Sequence, residues 1–204
     1  MEVTAQTDEK YMRLALNEAR DAFNQGEVPI GAVIVSGGAI VGRGHNLVET
    51  LTDVTAHAEI QALTAASATL GGKYLPDCTL YVTVEPCVMC AGALAWSQIG
   101  RIVYGASDPK RGYTRIGNAM LHPDTRTTTD CKCHTATNTS PYAATGTATD
   151  TSPCVATDTT PPARGASDEA ADKLLLHPKT RVTAGVLAAE CEALMSEFFM
   201  KLRR

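Results

Sequence analysis

The sequence has no run of about 18 apolar residues, which excludes a hydrophobic membrane-spanning helix. Its first residues, Met1-Glu2-Val3-Thr4, have neither the basic block nor the apolar block of an export signal. The expected location is the cytoplasm. It also lacks an even number of cysteines. Seven of them, with no export signal, argue against a disulfide framework and for thiols that bind metal or lie buried. Nor is there an excess of positive charge. A formal net charge of −4 gives no global attraction for nucleic acid, although a local patch can differ from the total. What is present is enough for one globular domain. The chain has 204 residues, 44% of them hydrophobic.

A further absence is local. Between Asp124 and Asp172 there is no Ile, Leu, Phe, Met or Trp, while Thr, Ala, Asp and Pro crowd together. Such a stretch cannot bury enough apolar area to offset its conformational entropy. We read the chain as one domain over 1–204, interrupted by a disordered insert at about 124–173. The edges of the insert repeat. Leu121-His122-Pro123-Asp124-Thr125-Arg126-Thr127-Thr128 resembles Leu176-His177-Pro178-Lys179-Thr180-Arg181-Val182-Thr183, 55 positions later (176 − 121). The insert contains Cys131-Lys132-Cys133-His134 and Cys154. With no core to organise them, these are read as thiols without fixed structure rather than as a second metal site. In the body, Arg101, Lys110, Arg111 and Arg115 face only Asp108, and Lys201, Arg203 and Arg204 close the chain. This basic edge suits phosphate contact or an ordinary solvated face.

Hydrophobic periodicity places the elements. Met12, Leu16, Ala19 and Phe23 recur at helical spacing after Thr7-Asp8-Glu9, whose acids suit a helix start. Ala32–Val35 and Ala39–Gly42 read as strands joined at Gly37-Gly38. A helix is expected from about Thr55 to Ala68, closed by Gly71-Gly72. Thr79–Val84 reads as a buried strand and Cys87–Ser97 as a helix opened by Pro86. Arg101–Gly105 is a further strand. A short strand near Val182 precedes a C-terminal helix. Alternating strands and helices indicate an α/β layered domain.

Two short motifs carry chemistry. Cys87 and Cys90, three apart at a helix start, can both reach one ion, and the helix N-terminus favours their thiolates. Alone, such a pair could equally be redox-active or structural. His57, also near a helix start, adds a nitrogen ligand. Three protein ligands leave a fourth position open, the mark of a catalytic rather than a structural zinc, where a bound water is acidified. Cys78 and Cys191 have no motif partner and are read as buried thiols. Glu59, two residues beyond His57, can face the open position without binding the metal and can carry protons. The alternative for Glu59 is a surface carboxylate.

His-x-Glu followed by Pro-Cys-x-x-Cys is the signature of zinc nucleobase deaminases, bacterial tRNA adenosine deaminases among them. The resemblance to that family extends through Glu27–Val33, Gly44-His45-Asn46, Thr55–Ile60, Leu80–Ala93, Arg101–Ala106 and Gly185–Cys191, essentially the whole chain outside the insert. It implies a three-layer cytidine deaminase-like α/β fold, with a central mixed sheet of about five strands flanked by helices. It implies one zinc ion per subunit held by His57, Cys87 and Cys90, with Glu59 as proton shuttle and Asn46 hydrogen-bonding the flipped base. It implies a homodimer that deaminates the wobble adenosine in a tRNA anticodon loop to inosine. The chain departs from the family at Val54, often proline there, and at the insert. Two alternatives stay open: a deaminase of a free base or nucleoside of guanine or cytosine type, and a non-catalytic zinc-binding interaction module. An intact Glu59 argues against the second.

Overall fold

The computed structural model describes residues 5–121, 169, 172 and 174–203. Apart from residues 169 and 172, the insert lies outside the described residues, its cysteines included. The first helix, α1 (Ala5–Asn24), places Met12, Ala15, Leu16, Ala19 and Ala22 on one buried face. Strands β1 (Gly31–Ser36) and β2 (Ala39–His45) form a hairpin. Its turn residues Gly37 and Gly38 have φ of 56° and 85°, the positive values a two-residue hairpin turn requires. A four-residue helix that the sequence did not indicate, α2 (Val48–Leu51), leads to α3 (Ala58–Leu70), which ends at Gly71 in the left-handed region. Then come β3 (Cys78–Val84), α4 (Val88–Trp96), β4 (Arg101–Ala106), α5 (Tyr113–Leu121), β5 (Arg181–Ala184) and α6 (Ala188–Leu202).

The strands form one mixed sheet in the order β2-β1-β3-β4-β5. β1 is antiparallel to β2 and β3, whereas β3, β4 and β5 run parallel. Both faces are covered, which explains why the central strands carry consecutive apolar residues in their middles, Ala32–Val35, Leu80–Val82 and Ile102–Tyr104, rather than alternating with polar ones. One face presents Ala32, Ile34, Leu80, Val82, Ile102 and Tyr104 to a core shared with α3, α4 and α5. The other presents Val33, Val35, Tyr81 and Val103 to α1 and α6. The three-layer α/β architecture expected from the resemblance is therefore the one observed. The downstream copy of the repeated edge belongs to the body: Leu176 is buried in the core, Val182 packs against it, and Thr180 donates to the Ile99 carbonyl. Among the described residues no helix is long and apolar enough to cross a membrane.

The helix that carries His57 and Glu59 at its start lies directly on the edge hairpin. Ala58, Ala62 and Ala66 are fully buried there. A Cβ at Gly44 would stand 2.5 Å from the Ala58 carbonyl oxygen and 2.6 Å from the Ala62 nitrogen. These are backbone atoms and cannot rotate away. Gly44→Ala is expected to force α3 off the sheet and to cost about 1–3 kcal/mol of stability, measured by thermal unfolding. Gly92→Ala on α4, whose Cβ would meet nothing within 4 Å, serves as the control. Equal melting temperatures for the two variants would contradict this account.

Candidate active site

Two helix N-termini converge. His57 is the residue before α3 and Cys87 the residue before α4, both with extended backbone. The sequence reading set Cys87 inside its helix; the structure sets it at the cap, with Cys90 one turn further on. His57 Nδ1 lies 3.6 Å from Cys87 Sγ and 3.5 Å from Cys90 Sγ. The three ligand atoms lie within 4.8 Å of one another. A tetrahedral zinc with ordinary Zn–N and Zn–S bonds separates its nitrogen and sulfur ligands by about 3.6 Å, so this donor set fits that ion. A hydrogen bond from Cys90, then one from His57, holds the Cys87 thiol down to about 4. Cys87 is thus a thiolate at neutral pH, and its hydrogen bond in turn raises His57. Cys90, sharing its proton with Cys87 and deeply buried, is pushed up. Cys78 and Cys191 are buried and stand outside this cluster. Burial raises both thiols, Cys191 to about 12.

Glu59 sits in the first turn of α3 with 3% of its surface exposed. A surface helix carboxylate would be solvated, and this one is not. Burial pushes its carboxyl up to about 7, against the opposing pull of a backbone amide. A group that exchanges protons near neutral pH beside a metal-type cluster can act as general acid and base.

Asn46 follows the last residue of β2 and is 5% exposed. Its neighbour Leu47 donates to the Ala56 carbonyl, which ties this turn to the segment entering His57. Its amide Nδ2 donates to Glu27 Oε2 at 3.2 Å, and Glu27 Oε1 accepts from the Thr50 backbone at 2.7 Å. Burial would raise the Glu27 carboxyl, but hydrogen bonds from Thr50, Glu49 and Asn46 outweigh it and hold the group below the ordinary carboxylate range. A carboxylate only accepts, so it fixes which end of the Asn46 amide faces it. Neither Glu27 nor short α2 carried a sequence signal for this role, because an acid before Val28-Pro29 reads as surface.

The basic edge divides in the structure. Arg101 is not part of it. Its guanidinium donates to both Asp8 carboxylate oxygens at 2.8 Å, and to the Thr183 hydroxyl. Asp8, assigned from sequence to the helix dipole alone, is buried and also accepts from the Tyr81 hydroxyl. Lys110 and Arg111 do face solvent. They occupy a loop after β4 that is pinned to the ligand-bearing turn: the Tyr113 backbone donates to the Pro86 carbonyl, and Cys87 bridges to Gly112.

Comparison with known proteins agrees with this geometry. The family model of the MafB19-like deaminases matches residues 6–130. The tRNA-specific adenosine deaminase of Aquifex aeolicus is 50% identical over 104 residues, covering 51% of this chain and 69% of its own length. The tRNA-specific adenosine deaminase of Agrobacterium fabrum is 50% identical over 126 residues, covering 62% and 78%. Among solved structures, one from work on A-to-I editing by tRNA:A34 deaminases at the wobble position superposes with a TM-score of 0.59 at 32% identity. That match covers 91% of this chain and 98% of the other. The guanine deaminase of Nitrosomonas europaea, at 21% identity and a TM-score of 0.60, shares the fold. The chain belongs to the MafB19-like deaminase family and to the family of the tRNA-specific adenosine deaminases.

Proposed function

We propose that this protein hydrolyses the wobble adenosine of a tRNA anticodon loop to inosine, releasing ammonia. The observation that carries the reading is the buried Glu59 beside the His57, Cys87 and Cys90 cluster, in a chain 50% identical over 104 and 126 residues to two tRNA-specific adenosine deaminases. His57, Cys87 and Cys90 would hold one zinc ion, which when bound acidifies water and polarises the reacting centre. Glu59 takes a proton from the attacking water and passes it to the ring nitrogen, then takes the second proton of that same oxygen and delivers it to the departing amine, which leaves as ammonia. Asn46, held by Glu27, contacts the edge of the extruded base. The exposed cations Lys110 and Arg111 contact phosphates, which also steers the polyanion toward the site. We assign a homodimer, with the exposed Met89 and Trp96 of α4 as supporting surface, and a cytoplasmic site of action where tRNA is processed.

The test is inosine formation on an anticodon stem-loop RNA carrying a wobble adenosine, with free guanine and cytosine in parallel. Inosine from the RNA and no ammonia from the free bases is the expected result. Ammonia from a free base with none from RNA would replace this reading by a free-base deaminase.

A further inference from the structure

Glu85 follows β3 and immediately precedes Pro86-Cys87, yet the mechanism above does not use it. Its side chain is 5% exposed. An unpaired carboxylate at that depth would be costly, but this one accepts three hydrogen bonds, all from a single neighbouring segment. Oε2 accepts from the Asp108 backbone at 3.0 Å. Oε1 accepts from the Thr114 backbone at 3.1 Å and from the Thr114 hydroxyl at 2.6 Å. The carboxylate thus grips the entry and the exit of the loop after β4.

The interior of that loop is set in turn by Asp108. Its side chain accepts from the Lys110 and Arg111 backbones at 2.9 and 3.0 Å, and its carbonyl accepts from Gly112. Gly112 must lack a side chain, because a Cβ there would lie 2.5 Å from the Glu85 carboxyl. The exposed ends of this arrangement are the Lys110 and Arg111 side chains. One buried acid therefore joins the turn bearing Cys87 to the loop bearing two cations.

We propose that Glu85 is a positioning residue for the substrate: it holds the Asp108–Arg111 loop against the Cys87 turn and so sets where Lys110 and Arg111 meet the phosphates flanking the target base. This rests on the reading above that the substrate is RNA. The side-chain hydrogen bonds of Glu85 go to this loop and not to His57, Cys87 or Cys90, so its effect belongs in binding rather than in the chemical step.

Glu85→Gln tests it at constant size. Both carboxylate oxygens accept from N–H groups, so an amide must turn its own N–H₂ toward one of them and release one end of the loop. The full chain is assayed on the anticodon stem-loop at several salt concentrations, with bound zinc and thermal stability measured alongside. Glu85→Gln is expected to raise KM about 10-fold with kcat within about twofold and the zinc content unchanged. It should flatten the salt dependence as much as the Lys110→Ala/Arg111→Ala variant, which loses about two phosphate contacts. Added to that variant it should change nothing further, because the groups it positions are already gone. Thr114→Val, which removes only the 2.6 Å hydroxyl bond, should raise KM about threefold.

Fully additive KM effects in the combined variant would overturn the proposal, as would a fall in kcat at unchanged KM. If Glu85→Gln does not fold or loses zinc, Thr114→Val decides: a raised KM supports the proposal and an unchanged KM overturns it. A wild-type protein inert toward RNA would sink the substrate reading and this inference with it. An active wild type with additive variants would sink this inference alone.

Discussion

Glu59→Ala is expected to lower kcat for inosine formation by about 10³-fold while leaving the fold and the His57, Cys87 and Cys90 cluster intact. The size follows from the two proton transfers assigned to this one side chain, since a positioned general acid or base contributes about 10²–10⁴-fold. The direction follows from burial. At 3% exposure, bulk buffer cannot reach the position from which Glu59 serves the ring nitrogen, so no solvent group replaces it. Truncating this polar side chain removes nothing from the apolar cluster that contains Ala58 and Ala62, and the domain should stay folded. Single-turnover kinetics, with zinc measured by elemental analysis, separate the two ways of losing activity. Zinc retained with kcat reduced about 10³-fold is the expected pattern. Zinc lost together with activity would make Glu59 a structural support of the cluster. Activity within about tenfold of wild type would remove it from the proton path altogether.

The second large effect concerns stability. Arg101→Ala is expected to cost about 3 kcal/mol, because removing one partner of a buried ion pair leaves the other charge uncompensated. The pair is bidentate at 2.8 Å on each arm, with only 12% and 8% of the two side chains exposed. Screening by solvent is therefore slight, unlike at a surface ion pair. Asp8 comes from α1, Arg101 from β4, Tyr81 from β3 and Thr183 from β5, so one network ties a covering helix to three strands. Thermal unfolding should show a fall in melting temperature of about 10 °C for a domain of this size. Asp8→Ala should cost a similar amount, and the double variant should cost clearly less than the sum. Additive losses would mean that the two residues act separately. The same variant bears on function. The salt dependence of RNA binding should match wild type in Arg101→Ala, since this cation faces an aspartate and not solvent. A flattened salt dependence would return Arg101 to the basic edge where its sequence position suggested it belonged.

Much of the site was legible because its logic is local. His57 and Glu59 are two residues apart, Cys87 and Cys90 are three apart, and each pair begins a helix whose start is written nearby. Three-residue spacing at a helix start puts Cys87 and Cys90 within reach of one ion, and the His-x-Glu and Pro-Cys-x-x-Cys signature names all four candidate residues from the chain alone. The layered α/β fold was legible for a related reason: strands covered on both faces carry consecutive apolar residues, as β1 does over Ala32–Val35, β3 over Leu80–Val82 and β4 over Ile102–Tyr104. The linear order of residues did not reveal the partners of single charged side chains. Asp8 and Arg101 are separated by 93 positions, Glu27 and Asn46 by 19, and Glu85 and Thr114 by 29. An acid or an arginine read singly is most often a solvated surface group, and only the packing of distant elements buries it against one partner. Sequence by itself thus determined the chemistry available at the site and the layers that carry it. The tertiary structure decided which charges face solvent and which hold the site in shape, because burial and pairing are properties of the folded arrangement and not of any segment within it.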